Sequence, residues 1–191
     1  MQECPLVNIK LPYMTFKEQY NTEFKKKLME MLKINNPMAV PRMVKVVINV
    51  GAGEAVTNKN VIEKVQEQIT LIAGQKAVIT KAKKSVSAFK IRMGQAIGVK
   101  VTLRGDQMYH FIQKLVTIVI PRLRDFRGIA DSTVDQHGNL NLGFTEQTIF
   151  PEIEFDKIDK MRGLQVTVVT TAGSKDTGKK LFTLLGVPFK S

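Results

Sequence analysis

Residues 76–104 read KAVITKAKKSVSAFKIRMGQAIGVKVTLR. The stretch contains Lys76, Lys81, Lys83, Lys84, Lys90, Arg92, Lys100 and Arg104 and has no Asp or Glu. Its two ends alternate with period two. Ala77 and Ile79 fall on one side against Lys76, Val78 and Thr80, and Ile97, Val99, Val101 and Leu103 oppose Lys100 and Thr102. That period predicts two half-buried strands. Between them runs a basic loop of small and polar residues with one aromatic, Phe89. A long positive finger between two such strands is costly unless it meets something negative, and nucleic acid is the first candidate.

The charge of the rest of the chain sharpens this. The net charge of +12 is concentrated: residues 41–104 carry twelve basic and three acidic side chains, whereas residues 105–191 carry eleven and ten. Such asymmetry favours a partner with clustered phosphates, whether RNA, DNA or an anionic membrane surface. A length of 191 residues with 43% hydrophobic content suits one globular domain with a real core. Cys4 is the single cysteine, so a disulfide framework and a cysteine zinc site are excluded. No run approaches a transmembrane length, and the first residues lack the pattern of a secretory signal. The expectation is a soluble intracellular protein that does not use a membrane.

Elsewhere the periodicity predicts alternating strands and helices. Residues 1–12 read as an N-terminal extension, leaving 13–191 as a single domain with a protruding basic loop over 80–95. Thr15 is placed to cap a helix carrying Tyr20, Phe24, Leu28 and Leu32, with Met31 beside them, ended by Asn35, Asn36 and Pro37. Met43–Val50 is a strand with Val44, Val46, Ile48 and Val50 on one side and Lys45, Val47 and Asn49 on the other. Asn58 opens a helix striped by Val61, Val65, Ile69 and Ile72, with Ile62 at its border and Gly74 as its stop. A further apolar helix runs from Asp106 to Pro121, Leu140 and Leu142 suggest a short strand, Leu164–Thr171 is a strand and 176–185 a helix. The strands share a polar side of Lys45, Asn49, Lys76, Thr80, Lys100, Thr102, Gln165 and Thr167, poor in carboxylates. A hydrated sheet surface accounts for one such face. Amide, hydroxyl and cationic groups together also suit RNA, Lys meeting phosphates while Asn, Gln and Thr reach sugars and base edges.

Enzyme signatures are incomplete. Residues 173–180, GSKDTGKK, resemble a phosphate-cradling P-loop and keep a nucleotide-binding reading open as the alternative. Lys180, however, stands where a magnesium-binding Ser or Thr belongs, and only eleven residues follow it. Gly51-Ala52-Gly53 lacks the third glycine of a dinucleotide fingerprint. His110 reads as a packing residue inside an apolar helix, and Glu152, Glu154, Asp156 and Asp159 as a solvated acidic run. Asp131, Asp135, Asn139 and Asn141 lack the spacing and final Glu of a calcium loop. The sequence therefore predicts no catalytic residues, no metal and no cofactor.

Specific segments then resemble one family. They are VPR at 40–42, VINVGAGEA at 47–55, AGQK at 73–76, TKAKKS at 80–85, FKIR at 89–92, IGVKVTLRG at 97–105, PRLRDFRG at 121–128, IFPEI at 149–153 and PF at 188–189. In order and without large gaps, these resemble the bacterial-type family of the 5S rRNA-binding protein numbered five in the large ribosomal subunit. The resemblance implies an α+β fold, an antiparallel sheet with helices packed on one face and an open concave RNA-binding face. It implies 5S rRNA contacts at Asn49, Gln75 and Thr102; Lys45, Lys76, Lys100 and Arg104 join them on electrostatic grounds. It also implies that the loop of Thr80, Lys81, Lys83, Lys84, Ser85, Val86, Ser87, Phe89, Lys90 and Arg92 contacts P-site tRNA. Arg122, Arg124 and Arg127, with the turn bearing Asp135, His137 and Asn139, are implied to bridge to a small-subunit head protein. Large-subunit rRNA and other proteins of the central protuberance are further implied partners, in a cytoplasmic or organellar ribosome.

Overall fold

A computed structural model describes residues 15–56, 58, 60–123, 126–153 and 158–190. The expected extension over 1–12 and Arg124 lie outside the described residues. Five strands, β1 (Met43–Gly51), β2 (Val78–Lys81), β3 (Ala96–Leu103), β4 (Leu140–Phe144) and β5 (Leu164–Thr170), form one sheet in the order β2-β3-β1-β5-β4. Every neighbouring pair is antiparallel. The alternation read in the sequence decides which side is covered. Val46, Ile48 and Val50 of β1, Val99, Val101 and Leu103 of β3, Leu140, Leu142 and Phe144 of β4, and Leu164, Val166 and Val168 of β5 are all buried in one core. Each such aliphatic side chain contributes roughly 1.5–3 kcal/mol when fully removed from water.

The helices close that core from a single side. In α3 (Asn60–Ala73), Ile62, Val65, Ile69 and Ile72 are buried; in α4 (Gly105–Lys114), Met108, Phe111 and Ile112; in α5 (Lys175–Leu184), Leu181 and Phe182. Ile62 is thus central to the α3 stripe and Val61 only half-buried, the reverse of the expectation. At the start of β1 the buried residue is Met43, because a bulge between Met43 and Lys45 displaces Val44 from the alternation.

The N-terminal rod begins where Thr15 predicts. Thr15 Oγ1 accepts from Glu18 N at 3.4 Å and Thr15 N donates to Glu18 Oε2 at 2.8 Å, a reciprocal capping box. The rod comprises α1 (Phe16–Gln19), a π turn over Tyr20–Phe24 and α2 (Lys25–Leu32). The π turn explains the spacing of its apolar residues. Side chains repeating every four positions advance about 40° per step around an α-helix; a turn closed from Lys25 N to Tyr20 O takes up the excess, so Phe16, Tyr20 and Leu28 all reach the core. Tyr20 donates from its buried hydroxyl to Pro41 O at 2.6 Å and pins the rod to the entry of β1. Two expectations fail here. Met31 remains 47% exposed, and the rod ends at Lys33, in the left-handed region at φ 52°, before the Asn-Asn-Pro run.

The phosphate-loop look-alike has a packing role. Gly178 lies against Gly138, where an added Cβ would approach Gly138 Cα to 2.6 Å. Lys179 extends to Asp131 Oδ2 at 2.7 Å and over the Phe189 ring at 5.8 Å, while Ser174 caps α5. We expect Gly178→Ala to destabilise the fold by about 1–3 kcal/mol through overpacking, measured by urea unfolding; an unchanged midpoint would contradict this packing role.

Candidate nucleic-acid interface

The strand register assembles the polar side chains into rows. Val78 pairs with Lys100, Lys100 with Asn49, Asn49 with Gln165, and Gln165 with Gly143, so one row crosses all five strands and every member is exposed. The next row holds Thr102, Val47, Thr167 and Asn141, all half-buried. Within it Thr167 Oγ1 donates to Asn141 Oδ1 at 2.8 Å. Lys45 follows on β1 and is half-buried, while Gln75, Lys76 and Arg104 are exposed at the strand ends, Arg104 as the N-cap of α4. The structure therefore places Lys45, Asn49, Lys100 and Thr102 on one open side, with Gln75, Lys76 and Arg104 at its margin.

The cations of this side stand without ion-pair partners among the described residues. Among the described residues the ion pairs join Lys17 to Asp106, Lys64 to Asp159, Lys114 to Glu152, Lys160 and Arg162 to Glu54, and Lys179 to Asp131. None involves Lys45, Lys76, Lys100 or Arg104, and no described carboxylate belongs to the paired rows of the open face. Cations without counter-charges repel one another until an anion arrives.

The basic loop is a folded hairpin. Val86 and Ile91 exchange both backbone hydrogen bonds, Ser87–Phe89 form a 3₁₀ turn and Lys90 takes φ 55°. Ser85 Oγ accepts from Met93 N at 2.9 Å, and Gln95 anchors the base by donating to Val56 O at 3.3 Å. Lys81, Lys83, Lys84, Ser85, Val86, Ser87, Lys90 and Arg92 are exposed, as is Phe89 at 72%; Thr80, inside β2, is half-buried. Met93, 74% exposed, joins this tip; no periodicity marked it in advance.

Comparison with known proteins decides what the surface belongs to. Residues 36–92 match the family model of ribosomal protein L5, and residues 96–189 match that of the ribosomal L5P family C-terminus. The chain belongs to the ribosomal protein L5 family. It is 51% identical over 175 residues to the large ribosomal subunit protein uL5 of Acholeplasma laidlawii, covering 92% of this chain and 97% of the relative. The uL5 protein of Desulfotalea psychrophila is 51% identical over 174 residues, 91% of this chain and 97% of its own. That of Anaeromyxobacter dehalogenans is 49% identical over the same length and shares. This L5-family chain is accordingly a structural constituent of the large ribosomal subunit, at work in the cytoplasmic ribosome. Its two matched halves interleave in one sheet, β1 from the first lying between β3 and β5 from the second.

The remaining sequence-predicted residues of this L5 chain that are described fall in two segments, at Arg122 and Arg127 and in the turn from Asp135 to Asn139. Arg122 and Arg127 are exposed, and Ile129 pairs with Phe189 through backbone bonds from Ile129 N to Pro188 O and Lys190 N to Ile129 O. Asp135 organises the following turn. It accepts from His137 N at 2.9 Å and from Asn139 N and Nδ2, each at 2.8 Å, leaving His137 exposed. Asn139 Oδ1 then accepts from Thr170 N at 3.0 Å and docks the turn on β5.

His110 is exposed on α4, contrary to its reading as a packing residue. Glu152 is no solvated charge either: Lys114 Nζ lies 2.7 Å from it and 2.6 Å from Ile72 O, tying α3, α4 and the 150s loop together. Asp159 pairs with Lys64, and Glu154 and Asp156 lie outside the described residues. The Glu54 cluster with Lys160 and Arg162 escaped sequence reading because its members lie about a hundred positions apart, with no local period joining them.

Burial works to raise the Asp135 pKa, but the hydrogen bonds from Asn139 and His137 together outweigh it and leave the carboxyl below its ordinary value. A depressed folded-state pKa contributes stability that is complete above the unfolded value and is lost as pH falls through the folded one. Asp135→Ala is expected to cost about 1–2 kcal/mol at neutral pH through its lost hydrogen bonds. The deficit should shrink as pH drops below the ordinary carboxylate range, checked by chemical denaturation across pH; a deficit that grows on acidification would contradict the assignment.

Proposed function

We propose that the open sheet face binds 5S rRNA and helps attach it in the central protuberance. The observation that carries this reading is the exposed row of Lys100, Asn49 and Gln165, flanked by Lys76 and Arg104, on a face without described carboxylates. Residues 13–191 act as one RNA-binding domain in this reading. Lys45, Lys76, Lys100 and Arg104 neutralise phosphates, while Asn49, Gln75 and Thr102 supply short polar groups to sugars and base edges. Large-subunit rRNA and neighbouring proteins of the protuberance complete the environment.

The basic hairpin over 80–95 points to a different partner, P-site tRNA. Its backbone bonding holds Lys83, Lys84, Lys90 and Arg92 outward beside the exposed Phe89, combining charge for phosphates with an aromatic surface. Arg122, Arg124, Arg127 and the Asp135–Asn139 turn form the contact to a small-subunit head protein. That assignment is supported by the exposure of Arg122, Arg127 and His137 and by the firm seating of the turn on β5.

With about five cations meeting phosphates, the logarithm of 5S rRNA affinity should fall against log salt with a slope near −3.5 to −4.5; a slope near zero contradicts the docking. Asn49→Ala and Thr102→Ala should weaken 5S binding with unchanged melting curves, and full affinity in both removes the face assignment. Replacing Lys81, Lys83 and Lys84 together with Ala should spare 5S binding and lower tRNA retention on assembled ribosomes. Loss of 5S binding in that triple variant would refute the division of labour.

A further inference from the structure

The described strands contain three glycines, and one has a reason inside the fold. A Cβ on Gly98 would meet Val50 O at 2.8 Å and Thr80 Oγ1 at 3.0 Å. Gly51 and Gly143 have none. Neither takes a positive φ, and a Cβ on either would find nothing within 4 Å. Both are exposed. Glycine weakens a strand interior, because it surrenders chain entropy and offers no side chain to pack, and in strands it marks places where another backbone approaches closely. Among the described residues neither a neighbouring atom nor a positive φ accounts for these two glycines, which leaves bare, exposed main chain at both positions.

Their positions agree. Gly51 follows Asn49 by two residues on β1 and so faces the same way, and Gly143 ends the exposed row through Asn49 and Gln165. The row from Val78 to Gly143 crosses four strand spacings, roughly 19 Å. Its one cation, Lys100, is on β3, whereas β5 and β4 contribute Gln165 to this row and Thr167 and Asn141 to the next, which carry no charge.

We propose that the 5S rRNA backbone lies flush against the main chain at Gly51 and Gly143, extending the interface from the cationic strands across β5 to the far edge of the sheet. This rests on the reading of the open face as the 5S rRNA surface. Ribose and phosphate groups there contact peptide groups directly, with Gln165 beside Gly143 as the polar side chain within reach. Any side chain at either glycine holds the RNA away without disturbing the fold.

The two consequences separate in one experiment on the full-length chain with a 5S rRNA transcript. Gly143→Val and Gly51→Val should keep or raise the melting temperature, since valine favours strands, yet weaken 5S binding at least tenfold. Alanine at each position should give a smaller loss in the same direction. Asn49→Ala, run alongside, reports on the face itself. If Asn49→Ala loses affinity while both valine variants bind as the parent does, the flush contact is overturned and the face reading stands. If the valine variants lose affinity and Asn49→Ala does not, the contact stands and the polar row is not what the RNA reads. Where a valine variant melts lower than the parent, the alanine variant decides: parental melting with parental affinity overturns the proposal.

Discussion

Alternation along β1, β3, β4 and β5 commits every second side chain to one core and its neighbour to the opposite side of the same sheet. Val46, Ile48, Val99, Val101, Val166 and Val168 cannot be buried without turning Asn49, Lys100, Thr102, Gln165 and Thr167 outward together. A one-residue slip would exchange the two sets, so the hydrophobic core and the polar surface are two consequences of a single register. The register that fixes the core therefore also fixes which residues a partner meets on the open side.

What the helices do with charge is the counterpart. Several of their cations are paired, Lys17 with Asp106, Lys114 with Glu152, Lys179 with Asp131 and Lys64 with Asp159, and Glu54 is paired with Lys160 and Arg162. Several of these pairs join segments distant in sequence and act as positioning contacts, although exposed pairs contribute little stability individually. The open face and the basic hairpin keep cations without such partners. Ion pairs in this chain thus fall where elements meet, and the cations of the proposed RNA-facing side are left uncompensated.

Much of this was legible in the sequence because period-two patterns are local. Strands β1, β3 and β5 and the polar side of the sheet follow from alternation alone, and the family followed from segments spread along the chain. Other features depended on contacts that no local pattern encodes. The bulge at Val44 arises from pairing with β5, the depth of Ile62 from how α3 lies on β3, and the anchoring of the hairpin's base from Gln95 reaching Val56. The glycines were visible as letters, but their meanings diverge in space. Gly178 makes room for Gly138 and Gly98 for Val50 and Thr80, whereas an added Cβ on Gly51 or Gly143 would meet nothing among the described residues.

The most direct test is lysine-reactivity footprinting of the chain with and without 5S rRNA. The account predicts that Lys45, Lys76 and Lys100 lose reactivity in the complex while Lys64, Lys175 and Lys180, on the helical side, keep theirs. Protection of Lys64, Lys175 and Lys180 with Lys45, Lys76 and Lys100 still reactive would place the RNA on the wrong side of the sheet and contradict it.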